Sequence, residues 1–94
     1  MSGSIVKMNV EEFKKKVVTN VYHITYESKV ALHKHPKHDE IFYCVKGKGF
    51  GVLEDKEVEL IAGKEFIVPA GWMHSLRSSS DLFVTSFLIP MIEP

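Results

Sequence analysis

Residues 33–40 read His-Lys-His-Pro-Lys-His-Asp-Glu, and a glycine follows at position 47. His33 and His35 are two residues apart, so on an extended strand both imidazoles leave the same face. Pro36 ends that strand because it has no N–H to donate to a ladder. Glu40 then opens the next strand. The segment therefore predicts two strand ends that bring imidazole and carboxylate groups to one place.

A second segment, residues 63–74, reads Gly-Lys-Glu-Phe-Ile-Val-Pro-Ala-Gly-Trp-Met-His. His74 lies just after its Pro-Ala-Gly turn, at the start of another predicted strand. Three imidazoles (His33, His35 and His74) and the carboxylate of Glu40 can converge on one ion inside a small barrel. This donor set suits a divalent first-row transition metal with coordination positions left open. The alternative for each histidine taken singly is an ordinary surface or core residue.

Period-two alternation of apolar residues predicts about eight short strands after residue 18, and this regular spacing is typical of a β-sandwich or barrel. The predicted strands are Val18–Tyr26, Lys29–His35, Glu40–Val45, Lys48–Leu53, Glu57–Ile61, Glu65–Val68, Met73–Arg77 and Leu82–Ile89. The run 47–51, Gly-Lys-Gly-Phe-Gly, is interpreted as a hairpin and bulge, and the run 78–81, Ser-Ser-Ser-Asp, as a break between strands. Before the strands, Asn9 is predicted to cap one short helix whose apolar residues are Val10, Phe13 and Val17.

The two segments resemble, in order and separation, the two motifs of the cupin superfamily. Residues 33–47 match H-x-H-x4-E-x6-G, residues 63–74 match G-x5-P-x-G-x2-H, and 15 residues separate them. The chain departs from the pattern at Glu27, where the family has glycine, and at Ser78, where it has asparagine. Neither position is a ligand in the family pattern.

The resemblance implies an all-β fold: a small jelly-roll (cupin) β-barrel with one short N-terminal helix. We predict a single domain over residues 1–94, with the barrel core at about 18–90. The resemblance also implies that the metal ligands are His33, His35, Glu40 and His74, and that the protein is usually dimeric. Several strands are apolar on both faces, so one face fills the barrel and the other needs an outer sheet or a second subunit to cover it. The second of these alternatives is the same homodimer.

Two further residues are candidates for catalysis or for tuning the metal. His38 lies two residues before Glu40, and these two residues are the candidates for catalysis. The roles considered for His38 are a proton shuttle, a substitute ligand and a partner of a ligand. The alternative, which we favour for His38, is a solvated loop histidine. Cys44 shares strand parity with Glu40, so its thiol is predicted to point into the barrel, most simply as a small buried hydrophobe. His23 is predicted to be structural or exposed.

The predicted substrate pocket consists of apolar and aromatic residues that could equally be ordinary core. These residues are Phe42, Cys44, Phe50, Trp72 and Leu76.

The function predicted from these residues is metal-dependent chemistry on a small organic molecule, most simply as a dioxygenase and less so as an isomerase. One divalent ion per chain is expected. Fe or Mn is favoured because both support oxygen chemistry, and Ni, Zn and Cu fit the same ligands. The alternative is a non-catalytic cupin that holds a metal or small ligand as a sensor, store or accessory subunit. A sugar-nucleotide-type epimerase ranks last, because such enzymes lack this complete ligand set.

The amino-acid composition limits the classes of binding partner to be expected. The chain has 94 residues, 12 basic and 12 acidic side chains and a formal net charge of zero. No global charge therefore recruits nucleic acid or an anionic membrane. The single cysteine excludes an internal disulfide, and no export signal is recognisable, so a cytoplasmic location is expected. The expected partner is a small molecule inside the barrel.

Overall fold

The computed structural model describes residues 9–26 and 33–91, which form one short helix and five antiparallel strands. The elements are α1 (Val10–Lys16), β1 (Val18–Ile24), β2 (His38–Leu53), β3 (Glu57–Ile61), β4 (Glu65–Val68) and β5 (His74–Pro90). The predicted mainly β chain with one short helix is confirmed. Most of the predicted strand Lys29–His35 lies outside the described residues.

Helix α1 begins as its sequence predicts. The side chain of Asn9 accepts a hydrogen bond from the backbone N–H of Glu12 at 3.2 Å, which satisfies one donor at the start of the helix. None of its seven residues is buried. No helix in the described part of the chain is long and apolar enough to cross a membrane.

The sheet is organised around two long strands that pair with each other along most of their lengths. Strand β5 lies between β1 and β2, and β2 in turn pairs with β4 through its first half and with β3 through its second half. The glycine-rich and serine-rich runs therefore do not end strands. The hairpin predicted at 47–51 is wrong, whereas the bulge predicted there is confirmed. Both runs lie at register shifts in the β2–β5 ladder.

A bulge replaces the predicted break because Gly47 adopts a φ of 91°, a conformation that side chains disfavour. A Cβ at this position would lie 1.5 Å from the carbonyl oxygen of Asp81. The two backbones can approach only at a glycine, and the extra residues of β5 are accommodated opposite Lys48. The turn-forming residues thus bend a continuous strand pair.

Bending brings the two halves of β2 face to face around one core. The ring of Phe66 in β4 would lie 2.3 Å from a Cβ at Gly51, in the other half of the sheet. The buried apolar residues of this core are Ile24, Phe42, Cys44, Leu53, Leu60, Phe66, Val68, Leu76, Leu82 and Val84. At one end of the core the side chains become polar, and the histidines of the two sequence motifs meet there.

Candidate metal centre

Backbone hydrogen bonds tie the two motif segments together. His33 and His74 form an antiparallel bridge, in which each backbone N–H donates to the carbonyl of the other at 2.9 and 2.8 Å. The N–H of Gly71 donates to the carbonyl of His35 at 2.9 Å, and the N–H of Ala70 to the carboxylate of Asp39 at 2.8 Å. The Pro-Ala-Gly turn is thereby fixed against the first motif. His35 lies outside any strand, immediately before the turn at Pro36 and Lys37, which corrects the predicted strand through residue 35.

The structure brings the four predicted ligands together. His33, His35, Glu40 and His74 each offer one ligand atom, and these atoms lie within 4.8 Å of one another. Two donors that are each about 2.1 Å from an ion lie at most about 4.2 Å apart, so small movements suffice for all four to share one. Three imidazole nitrogens and a carboxylate oxygen fit a divalent transition metal that keeps open positions.

Glu40 is the electrostatic centre of this cluster. Its Oε1 lies 2.9 Å from Nε2 of His74 and 3.4 Å from Nε2 of His35, and its Oε2 accepts a hydrogen bond from the hydroxyl of Ser86. Burial alone would raise the pKa of Glu40, but the hydrogen bonds from His74 and Ser86 outweigh burial and hold the pKa below its ordinary value. Glu40 is therefore an anionic donor at neutral pH.

The pKa values of His74 and His35 are shifted in opposite directions. Burial alone would lower the pKa of His74, but its hydrogen bonds to Glu40 and to the carbonyl of Trp72 raise the pKa above the ordinary value. For His35 burial dominates, and together with the neighbouring imidazoles it lowers the pKa despite the nearby Glu40. Nδ1 of His74 lies 3.0 Å from the Trp72 carbonyl, so this nitrogen carries a hydrogen and Nε2 faces the cluster.

A cavity of about 130 Å³ opens beside three of the four ligands, His33, His35 and Glu40. It is lined by Tyr22, His33, His35, Glu40, Phe42, Leu76 and Leu88. Phe42 and Leu76 thus occupy the position expected of pocket residues. An engineered apolar cavity of about 150 Å³ takes up benzene, so this cavity admits a molecule of roughly that size.

Three other predicted pocket residues lie elsewhere. Cys44 is fully buried in the core, and burial raises the pKa of its thiol. Phe50 lies on the opposite side of its strand, where the guanidinium of Arg77 stacks 4.1 Å from its ring centre, because the β2 bulge reverses the strand parity that sequence spacing implies. Trp72 is 51% exposed and lines a separate surface cleft with Glu54 and Asp55.

The two remaining histidines lie outside the four-ligand cluster. His38 is half-buried at the start of β2, close enough for its charge to contribute to the lowered pKa of His35. Its catalytic role stays a prediction. His23 stacks on Phe83 and lies 3.2 Å from Asp81 at the surface, which confirms a structural, exposed histidine.

Sequence reasoning missed three residues of this site: Tyr22, Ser86 and Leu88. The inward positions of the second half of β5 read Leu82, Val84, Ser86, Leu88, so the serine interrupts an apolar series. This interruption is the sequence feature that could have identified Ser86 as a residue of the site. The role of Tyr22 depends on the pairing of β1 with β5, which local spacing does not reveal.

The sequence profile of the cupin domain matches residues 21–89, which is most of the chain and includes all four clustered ligands. This chain belongs to the cupin family. The jelly-roll β-barrel that the motifs predicted is confirmed with it.

Solved structures with related sequences share the fold of this cupin. A solved structure described as a predicted oxalate decarboxylase from Thermotoga maritima is 26% identical, with a TM-score of 0.78 over 89% of this chain and 76% of that one. KdgF from a Halomonas species is 25% identical, with a TM-score of 0.73 over 81% of this cupin and 71% of that chain. An uncharacterised protein of Aquifex aeolicus is 38% identical over 52 residues, which are 55% of this chain and 43% of that relative. The match thus spans less than half of that relative's length.

Proposed function

We propose that this cupin binds one divalent transition metal and acts on a small organic molecule by dioxygenase-type chemistry. The observation that supports the proposal is the cluster of four donor atoms within 4.8 Å of one another, which opens onto the cavity of about 130 Å³. When bound, iron or manganese would supply Lewis acidity and electron exchange with dioxygen. The substrate would be the reductant and dioxygen the oxidant, with both oxygen atoms entering the product.

The cavity lining favours a substrate with an apolar body and oxygen donors at one end. Phe42, Leu76 and Leu88 offer apolar surface, whereas the polar groups are concentrated at the ligand cluster. Among the described residues that line the cavity there is no Lys or Arg, and Glu40 is anionic. A dianion such as oxalate would depend on the bound metal ion alone for charge compensation, because the rest of the lining offers apolar side chains and no cationic one. We therefore favour a neutral or singly charged molecule of about the size of catechol or a β-diketone.

The protein groups have distinct parts in this proposal. His33, His35 and His74 hold the ion, and Glu40 completes the set through one carboxylate oxygen. Should Glu40 detach from the ion, it would accept a substrate proton, although its lowered pKa limits it to protons that are already acidic. The phenol of Tyr22 lines the same cavity from β1 and is available to donate a hydrogen bond to bound substrate.

Metal analysis followed by oxygen-uptake measurements tests this function. We expect stoichiometric iron or manganese in the purified protein and oxygen uptake with catechols or β-diketones, with two atoms of ¹⁸O₂ found in the product. Flavonols should be poor substrates, because they exceed the cavity of about 130 Å³. Thiols are tested as substrates in the same oxygen-uptake assay. A metal-loaded protein that is inert with every compound would instead support the non-catalytic binding function.

We also propose that a second copy of the chain covers the outer face of the sheet. On this face Ile41 and Phe87 lie between Ile67 and the β1 strand, and Ile67 and Val45 are 58% and 53% exposed. Contiguous exposed apolar side chains mark association surfaces. A net charge of zero means that two copies approach without net repulsion.

Light scattering during size-exclusion chromatography should therefore give the mass of a dimer. Ile67→Lys should yield monomers, because a lysine ammonium would be desolvated in the centre of the interface. Ile61→Lys is the matched control, since Ile61 is also exposed but lies on β3, which pairs with the second half of β2 rather than with the strands that form this face. A monomeric parent protein, or a dimeric Ile67→Lys variant, would exclude this interface.

A further inference from the structure

Ser86 is a fully buried polar residue in the second half of β5, where the other inward side chains, Leu82, Val84 and Leu88, are apolar. Its cross-strand partner on β2 is Phe42, and Leu88, two residues further on, is paired with Glu40. Ser86 is thus the diagonal neighbour of Glu40 on the inner face of the sheet, a distance that a short hydroxyl and a longer carboxylate can bridge. Its hydroxyl donates to Oε2 of Glu40.

The two oxygens of Glu40 have different neighbours as a result. Oε1 faces the imidazoles of His74 and His35, at 2.9 and 3.4 Å, whereas Oε2 is bound to Ser86. Glu40 is only 3% exposed, so no bulk water replaces a lost donor at Oε2. A carboxylate held in this way would have only Oε1 directed at an ion bound among the imidazoles.

We propose that Ser86 is a positioning residue that keeps Glu40 a one-oxygen ligand and so preserves an open coordination position for substrate. The proposal rests on the proposed metal-binding function. If the hydroxyl is removed, Glu40 is free to rotate and offer both oxygens. The carboxylate would then occupy a position on the ion that substrate needs, and the ligand cluster would lose its preorganised geometry.

The chain offers a matched control for removing this hydroxyl. Ser78 is also buried on β5, and its Oγ has no hydrogen-bond partner within the described residues. Ser78→Ala therefore removes a buried hydroxyl from the same strand without touching Glu40. Ser86→Cys retains approximately the volume of the side chain but donates only weakly, which separates the hydrogen bond from packing.

The experiment titrates metal-free protein with Mn²⁺ and Co²⁺ by calorimetry and records the visible absorption of the Co²⁺ form, which reports coordination number. We expect Ser86→Ala and Ser86→Cys to bind Mn²⁺ about 10- to 100-fold more weakly than the parent, as when other groups that orient a ligand are removed. The Co²⁺ spectrum should change in both variants. Ser86→Thr, which keeps the hydroxyl, should restore the parent spectrum, and Ser78→Ala should leave affinity and spectrum unchanged.

The possible results separate this inference from the proposed function. A Ser86→Ala protein that folds, binds Mn²⁺ within about twofold of the parent and keeps the parent Co²⁺ spectrum would overturn the role of Ser86 while leaving the metal site intact. A parent protein that binds neither ion would overturn the metal function and this inference with it. Equal losses in Ser86→Ala and Ser78→Ala would reduce Ser86 to a packing residue, and the inference would again be wrong.

Discussion

His74→Ala should abolish metal binding and also destabilise the metal-free protein. His74 is 1% exposed and supplies one of the four donors. Removal of groups that only support a ligand costs about 10- to 100-fold in affinity, so loss of the ligand itself should exceed about 100-fold. The variant also leaves the Glu40 carboxylate, 3% exposed, without its nearest imidazole. Breaking a buried pair in this way costs about 3–5 kcal/mol of unfolding free energy.

Two companion variants make the result interpretable. His33→Gln removes a half-buried donor but leaves the pair between Glu40 and His74 in place, so it should lose metal while its metal-free form stays closer to the parent in stability. His23→Ala removes a surface histidine and should keep full metal content. Metal analysis and thermal denaturation of each metal-free protein measure both effects. Full metal occupancy in His74→Ala would show that the ligand assignment is wrong.

The four clustered ligands were accessible from the sequence because their arrangement is mostly local. His33, His35 and Glu40 lie within eight residues of one another, and His74 follows a turn whose glycine has a φ of 86°. Strand positions fix the side on which Glu40 and His74 emerge, whereas backbone hydrogen bonds to His74 and Gly71 hold the segment of His33 and His35. The cupin motif pairs the two segments. Predicting this cluster therefore did not require comparing the energies of contacts between residues far apart in the sequence.

Strand lengths were not accessible in the same way. The runs at 47–51 and 78–81 have the composition of turns, and short-range preference alone predicts that each ends a strand. Whether such a run turns back or bulges depends on the partner across the ladder. Gly47 faces Leu82 and Gly49 faces Ser78, so each run supplies the space or the extra residues that the other needs. This mutual fit also reversed the parity of Phe50 and removed it from the cavity.

Ser86 was missed for a related reason. Its contact with Glu40 joins residues 46 positions apart in the sequence. In the sequence, Thr85 and Ser86 together resemble a simple interruption of an apolar strand. Only the register of β5 against β2 shows that Thr85 faces outward, whereas Ser86 faces the carboxylate.

Metal should raise the melting temperature much more at pH 7.5 than at pH 5.5. The raised pKa of His74 means that its contribution to the stability of the metal-free protein is fully present below the unfolded value of 6.5 and is lost as pH rises through the folded pKa. The lowered pKa of Glu40 means that its contribution is present above the unfolded value of 4.5 and is lost as pH falls through the folded pKa. The metal-free pair is therefore strongest between these two limits.

An ion must displace the proton that His74 holds in that window, because imidazole binds metal only when neutral. Each pH unit below the pKa of His74 costs metal binding about 1.4 kcal/mol. The pKa of His35 is lowered, chiefly by burial, so protons compete with the ion less at His35 than at His74. At pH 7.5 and an ion concentration 100 times Kd, binding adds about 2.7 kcal/mol, or roughly 10–20 °C for a domain of this size.

Thermal denaturation with and without Mn²⁺ at pH 5.5, 6.5 and 7.5 measures this dependence. Glu40→Gln is the informative variant. Removing the carboxylate lets the pKa of His74 fall, so the competition between proton and metal for His74 moves to lower pH. The loss of an anionic donor also weakens metal binding at every pH. Metal-induced shifts that are the same at pH 5.5 and 7.5 would mean that no proton leaves His74 on binding, and hence that its Nε2 is not a ligand. A shift that grows with pH in the parent and flattens in Glu40→Gln would establish that metal and proton compete for the same nitrogen.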